Sequence, residues 1–180
     1  DTVNLEGTAV KSYTLAGNIE NAAVYGSGGI LLTGNTLNNT LSGGVGADRL
    51  DGLFGNDVLN GGDGNDVLNG GDSNDTLFGD NGDDMLYGGN GNDTLHGGSG
   101  ANRLAGGLGN DTYVVSSSTD RLVENVNEGR DLVYASVSFA LGLNFEDLAL
   151  TGSAATATGN DAANNISGNG SANFIDGRGG

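Results

Sequence analysis

From Gly43 to Val114 the chain is eight consecutive nine-residue units, GGVGADRLD, GLFGNDVLN, GGDGNDVLN, GGDSNDTLF, GDNGDDMLY, GGNGNDTLH, GGSGANRLA and GGLGNDTYV. The eighth position is apolar in every unit: Leu50, Leu59, Leu68, Leu77, Leu86, Leu95, Leu104 and Tyr113. The sixth is aspartate at Asp48, Asp57, Asp66, Asp75, Asp84, Asp93 and Asp111, and asparagine at Asn102. Few chains are constrained so narrowly, because whatever one unit does its neighbours must do as well.

Each unit divides into a six-residue turn and a three-residue strand. Glycines at positions one, two and four allow positive φ and bring consecutive carbonyls close together. In the strand the eighth residue points inward and its neighbours outward. Strands this short are stable only when stacked in parallel, one turn of chain above the last. Two units then make one coil of eighteen residues, and the eight units make about four coils with strands ~4.8 Å apart. One buried leucine per unit does not offset the entropy of ordering nine glycine-rich residues. Something else must hold the turns.

Stacking sets sixth positions eighteen residues apart beside each other, in two columns. Asp48, Asp66, Asp84 and Asn102 form one edge, and Asp57, Asp75, Asp93 and Asp111 the other. Carboxylates that close repel unless a cation sits between them. Calcium is the natural candidate, since it takes hard oxygen ligands and accepts backbone carbonyls as readily as carboxylates. Zinc and copper are disfavoured by the absence of cysteine and by a single histidine, His96.

Charge points the same way. The net charge of −17 disfavours nucleic acid and anionic membranes as partners, and the array alone holds twelve carboxylates against Arg49 and Arg103. No apolar run reaches transmembrane length and no leader is recognisable. A start at Asp1 and a stop at Gly180 within a glycine pattern suggest a piece of something longer.

Outside the array, Val3 and Leu5, then Tyr13 and Leu15, read as short strands. The unit from Gly34 to Ser42 keeps the repeat's shape with Asn39 at its sixth position. Beyond the array, strands are expected over 112–115, 121–124 and 132–141, the last with a break. The end of the chain also repeats its beginning about 125 residues on: Tyr13-Thr14-Leu15 aligns with Phe139-Ala140-Leu141, Gly34-Asn35 with Gly159-Asn160, and Leu41-Ser42-Gly43 with Ile166-Ser167-Gly168. Three segments follow: a divergent β segment at 1–42 ending in a calcium-free repeat, the array at 43–114, and a β segment at 115–180 that repeats the first. The units of Asn39, Asn164 and Asn173 lack the charge for calcium and are expected to continue the roll through asparagine hydrogen bonds.

The array matches a GGxGxDxUx nonapeptide and so resembles the RTX (repeats-in-toxin) family. Its flanks, with GNxxNNxLxG segments, resemble the divergent modules beside such repeats in large bacterial surface proteins. The resemblance implies an all-β fold, a parallel β-roll or right-handed β-solenoid. In that family each calcium lies between a turn and the turn two units on, held by carbonyls two and four and the sixth-position Asp of the first, and by carbonyls one and three and the sixth-position Asp of the second. On one edge this implies a site from Gly44, Gly46, Asp48, Gly61, Asp63 and Asp66, and another from Gly62, Gly64, Asp66, Gly79, Asn81 and Asp84. On the other it implies Leu53, Gly55, Asp57, Gly70, Asp72 and Asp75, then Gly71, Ser73, Asp75, Gly88, Asn90 and Asp93, then Gly89, Gly91, Asp93, Gly106, Leu108 and Asp111. About five calcium ions are thus expected, and a sixth site, between Asp84 and Asn102, is expected to be weak or empty. Leu53, Ser73 and Asp80 stand where glycine belongs and are expected to strain their turns by about 1 kcal/mol each.

Other residues read as bland. His96 and the outward Phe78 and Tyr87 are expected at the surface, the two aromatics on opposite faces. Glu124, Glu128, Glu146 and Asp147 are expected to be ordinary surface carboxylates rather than an acid pair for glycoside chemistry. No phosphate-binding, zinc-protease or serine-hydrolase motif is present. The expectation is a non-enzymatic, calcium-binding structural module of a secreted or cell-surface bacterial protein, able to add to other copies or neighbouring modules. The alternative is a non-catalytic accessory segment of a secreted enzyme such as a protease, lipase or alginate epimerase.

Overall fold

The computed structural model describes residues 1–6 and 11–180; whatever part of the amino-terminal strand expectation falls on 7–10 lies outside the described residues. The strands run β1 (Thr2–Leu5), β2 (Ser12–Thr14), β3 (Asn21–Val24), β4 (Leu31–Thr33), β5 (Thr40–Val45), β6 (Arg49–Phe54) and β7 (Val58–Asp63). They continue β8 (Val67–Asp72), β9 (Thr76–Asn81), β10 (Met85–Asn90), β11 (Thr94–His96), β12 (Arg103–Leu108), β13 (Thr112–Val115) and β14 (Arg121–Val123). The last are β15 (Leu132–Ala135), β16 (Phe139–Ala140), β17 (Asp147–Leu150), β18 (Thr156–Thr158), β19 (Asn165–Ser167) and β20 (Phe174–Asp176).

Odd-numbered strands form one continuous ten-stranded sheet, and even-numbered ones form a seven-stranded sheet from β2 to β14 and a three-stranded sheet of β16, β18 and β20. Every pairing is parallel. The fold is therefore an all-β parallel solenoid of about ten coils, two strands to a coil. No helix among the described residues is long and apolar enough to cross a membrane.

Register follows the repeat. Leu41, Leu59, Leu77, Leu95 and Tyr113 stack along one sheet, and Leu32, Leu50, Leu68, Leu86 and Leu104 along the other. All ten are fully buried and face each other across a core two side chains thick. Within the array each pairing advances eighteen residues, as from Leu59 to Leu77.

One expectation needs correction. Strands β5 to β10 and β12 are six residues long, not three, because pairing continues into the first three positions of the next turn. Gly44 pairs with Gly62 and Leu53 with Gly71, so identical turns stacked in register supply partners for backbone groups a lone turn would leave to water. The anticipated break within 132–141 falls between β15 and β16.

Beyond the array the coil length changes. Tyr113 pairs with Val133 and Val133 with Leu148, so one coil is two residues longer than the repeat and the next is three shorter. The even-numbered sheet breaks where these coils pass. The odd-numbered sheet continues through them.

Candidate metal centre

The sixth-position side chains come together as the stacking requires. Asp57, Asp75, Asp93 and Asp111 line one edge, Asp48, Asp66 and Asp84 the other, and each is at most 3% exposed. Each carboxylate is held by one oxygen. Asp57 Oδ1 accepts the N–H of Asn39 at 2.6 Å, Asp75 Oδ1 that of Asp57, Asp93 Oδ1 that of Asp75, and Asp111 Oδ1 that of Asp93 at 2.8 Å. On the other edge Ile30, Asp48 and Asp66 donate in the same way to Asp48, Asp66 and Asp84.

The second oxygen has no partner: Oδ2 of all seven aspartates is buried without a hydrogen bond. A buried carboxylate oxygen left open costs several times what a neutral bond contributes, so two columns of them point to a missing positive partner. The space beside them is defined as well. A Cβ on Gly52 would lie within 3 Å of Asp57 Oδ2 and of the Gly70 carbonyl, and one on Gly70 would meet Asp75 Oδ2 and the Gly88 carbonyl. First-position glycine thus keeps open a cradle into which one carboxylate oxygen and one carbonyl oxygen project. Hard oxygens of both kinds suit calcium.

Electrostatics agree. Burial, with lesser contributions from neighbouring carboxylates at some sites, pushes Asp57, Asp66, Asp93 and Asp111 up to about 6 and Asp75 to about 7. Asp48 and Asp84 are raised for the same reason. The cluster resists ionisation without a cation.

The other sequence-named residues occupy the turns of the same two edges. Gly44, Gly62, Gly71 and Gly89 at second positions, and Gly46, Gly55, Gly64 and Gly91 at fourth positions, all have positive φ. Leu53, Ser73 and Asp80 adopt φ of 82°, 89° and 69°, so the anticipated strain is present. First-position Gly61, Gly70, Gly79, Gly88 and Gly106 each lie against the sixth-position carboxylate of their own unit. At third positions the carbonyls of Asp63, Asn81, Asn90 and Leu108 accept N–H groups of the preceding coil at 2.6–2.7 Å, leaving one lone pair each. The side chains of Asp63 and Asp72 face outward and accept from Asn81 Nδ2 and Asn90 Nδ2.

At Asn102 the pattern changes. Its Oδ1 accepts the Asp84 N–H, while Nδ2 takes the place of the free oxygen and donates to Asp120 Oδ1 at 3.0 Å. No anionic oxygen is left open there.

A sequence profile for the RTX calcium-binding nonapeptide repeat, four copies long, matches residues 25–59, 33–68, 52–86, 60–95, 78–113, 87–122 and 153–180, more than half of the chain. The chain belongs to the RTX calcium-binding nonapeptide repeat family. It is also 42% identical over 57 residues to the endo-1,3-1,4-beta-glycanase ExsH of Rhizobium meliloti (strain 1021), an alignment covering 32% of this chain and 12% of that protein. No solved structure matches the chain.

In this RTX chain the asparagine units do continue the roll by hydrogen bonding. Asn39 Oδ1 accepts the Asn35 N–H at 2.7 Å, and Asn35 Nδ2 donates to the carbonyls of Ala16 and Ile19 at 2.7 Å. Asn160 and Asn164 repeat the arrangement on Gly142 and Phe145, and Asn169 and Asn173 repeat it on Thr151 and Ala154. Ala16 and Ile19 correspond to Gly142 and Phe145 in the 125-residue alignment, so the same bonds recur at the same places.

His96 lies on the outer face, stacked on Phe78 at 4.6 Å, and Tyr87 lies on the opposite sheet. Two features escaped the sequence reading. Fifth-position asparagines form an outer ladder, Asn56, Asn74 and Asn92 accepting the N–H groups of Asn74, Asn92 and Asn110; their recurrence in the repeat was the available signal. Glu124 is not a surface carboxylate: it is 9% exposed and gathers with Asp111 and the fully buried Asp131. Burial pushes it up to about 8, and Asp131 to about 6. Its place at a glycine position was the signal. Asp147, by contrast, is paired with Arg130 at 2.6 Å and is ordinary.

Proposed function

We propose that this chain is a non-enzymatic structural module of a secreted or cell-surface protein, whose folding is conditional on extracellular calcium. The observation that carries the reading is the double column of unpartnered aspartate Oδ2 atoms. Asp57, Asp75, Asp93 and Asp111 on one edge, and Asp48, Asp66 and Asp84 on the other, would hold the ions, with the turn carbonyls at positions one to four completing each shell. Calcium supplies the positive charge that lets these carboxylates be buried ionised. The chain's own residues do the rest: each aspartate bonds the coil before it through Oδ1, and the glycines keep the turns narrow enough for carbonyls to reach the same point. Because unfolded chain offers no such convergence, binding free energy becomes folding free energy. At the low calcium of a cell interior the array would stay open, and at millimolar calcium outside it would close.

Circular dichroism with excess chelator and with millimolar calcium tests this. Parallel-strand signal should appear only with calcium; equal signal in both would refute it.

The module suits a stiff acidic spacer in an adhesin, surface layer or fibre. Electron microscopy with calcium distinguishes end-to-end assembly from isolated short particles. The second reading, an accessory segment in a secreted enzyme, draws on the likeness to ExsH, whose name makes it an endoglycanase and of which the aligned region is a small part. A catalytic motif elsewhere in a full-length parent would favour it.

A further inference from the structure

The two departures that end the array are coupled. Arg103, Leu104 and Ala105 pair with Arg121, Leu122 and Val123, so Glu124 stands where Gly106 stands one coil earlier. A side chain on Gly106 would collide with Asp111 Oδ2. At Glu124 that collision is avoided because the turn that follows is longer, placing Asp131 twenty rather than eighteen residues after Asp111. Tyr113 replaces leucine in the inward column at the same level. Its hydroxyl accepts the Gly106 N–H at 2.6 Å and donates to Glu124 Oε2 at 2.6 Å.

Three oxygens are left open. Asp93 and Asp111 donate their N–H groups to Oδ1 of Asp111 and Asp131 at 2.8 Å, and Tyr113 holds Glu124 Oε2. Asp111 Oδ2, Glu124 Oε1 and Asp131 Oδ2 are buried and unpartnered. One carboxylate oxygen from each residue lies within 4.8 Å of the other two. Oxygens on opposite sides of a calcium ion stand about 4.6–5.2 Å apart, so the cluster is of the right size. Arg130, adjacent in sequence to Asp131, is turned away to Asp147.

We propose that Asp111, Glu124 and Asp131 bind one calcium ion beyond the nonapeptide sites, with Tyr113 as the positioning residue for Glu124. The inference rests on the calcium reading of the array and extends it past the last repeat. The site draws three carboxylates where an array site draws two, so it binds more tightly than its neighbours. It joins the last glycine-rich turn to the glycine-poor coil after it, and so ties the array to the carboxy-terminal segment.

Calcium titration calorimetry of the whole chain, together with tyrosine-sensitised terbium luminescence, tests the site because Tyr113 borders it. Glu124→Gln is expected to lose one calcium ion per chain, and part of the terbium emission, while keeping its calcium-dependent dichroism. Tyr113→Phe keeps the three carboxylates and should lose that part of the emission with the ion count retained. Should Glu124→Gln fail to fold, Asp131→Asn is read in the same way. Unchanged ion count and affinities in Glu124→Gln or Asp131→Asn, or wild-type emission in Tyr113→Phe, would overturn the site while leaving the array reading intact. A wild-type chain that binds no calcium would overturn both.

Discussion

The turns at Asn39 and Asp57 sit one above the other on the same edge and solve the same problem in opposite ways. Asn39 is complete as it stands: its Oδ1 accepts from Asn35, and the amide groups of both asparagines donate to carbonyls of the coil below. Asp57 is half complete, with Oδ1 bonded to Asn39 N–H and Oδ2 open. A carboxamide carries its own donors, whereas a carboxylate only accepts. The comparison teaches that an asparagine turn satisfies its own buried groups, whereas an aspartate turn leaves one buried anionic oxygen open.

Chelation should break that comparison most severely. Hydrogen exchange in excess chelator is expected to strip protection from amides between Asp48 and Asp111, while amides bonded by the turns of Asn164 and Asn173 keep more of theirs. Uniform loss along the chain would mean that the asparagine turns confer no independence.

Acid comes next. Burial raises these carboxylates from 3.8 to about 6 or, at Asp75, about 7. The folded, calcium-free chain therefore binds more protons than the unfolded chain between those values, and its stability falls as pH rises through that window. Chelated protein should gain strand signal when brought from neutral pH toward 4, the reverse of ordinary acid denaturation, and dichroism against pH checks it. With calcium present, acid should instead release the ion.

Asp75→Asn removes an open anionic oxygen from the middle of one column, where it serves the sites above and below. The calcium midpoint of folding should rise on the order of tenfold, read by titration against dichroism. Asn102→Asp runs the comparison the other way, replacing a donating amide by a second carboxylate beside Asp120. It should add one bound ion by calorimetry and weaken the chelated form. Leu53→Gly relieves φ of 82° and should stabilise the calcium-bound roll by about 1 kcal/mol in denaturant titration, the smallest effect of the set.

The array was legible because its information is periodic: the eighth-position column gives the core, the sixth-position column gives both edges, and a period of nine doubled to eighteen gives the register. Strand length was misread at Gly44 and Gly62 because glycine says turn to any local rule, whereas stacking on an identical neighbour makes it strand. The asparagine units were legible by their substitution for aspartate, although the role of Asn35 as a donor to two carbonyls required coordinates. Glu124 was misread because its meaning depends on Tyr113 and Asp131, and no repeat places those three together. Aperiodic residues at the end of a periodic chain carry only tertiary information.

The two side-chain ladders run in opposite directions: each sixth-position aspartate N–H donates to the Oδ1 eighteen residues ahead, and each fifth-position N–H to the Oδ1 eighteen residues behind. Every coil is thus finished by both neighbours, and a coil added at either end arrives with a partner for a group already waiting. Order can therefore start at any coil and spread both ways, and the coils behave as a one-dimensional lattice with coupling between nearest neighbours. A longer array would accordingly respond to calcium more steeply without binding any single ion more tightly.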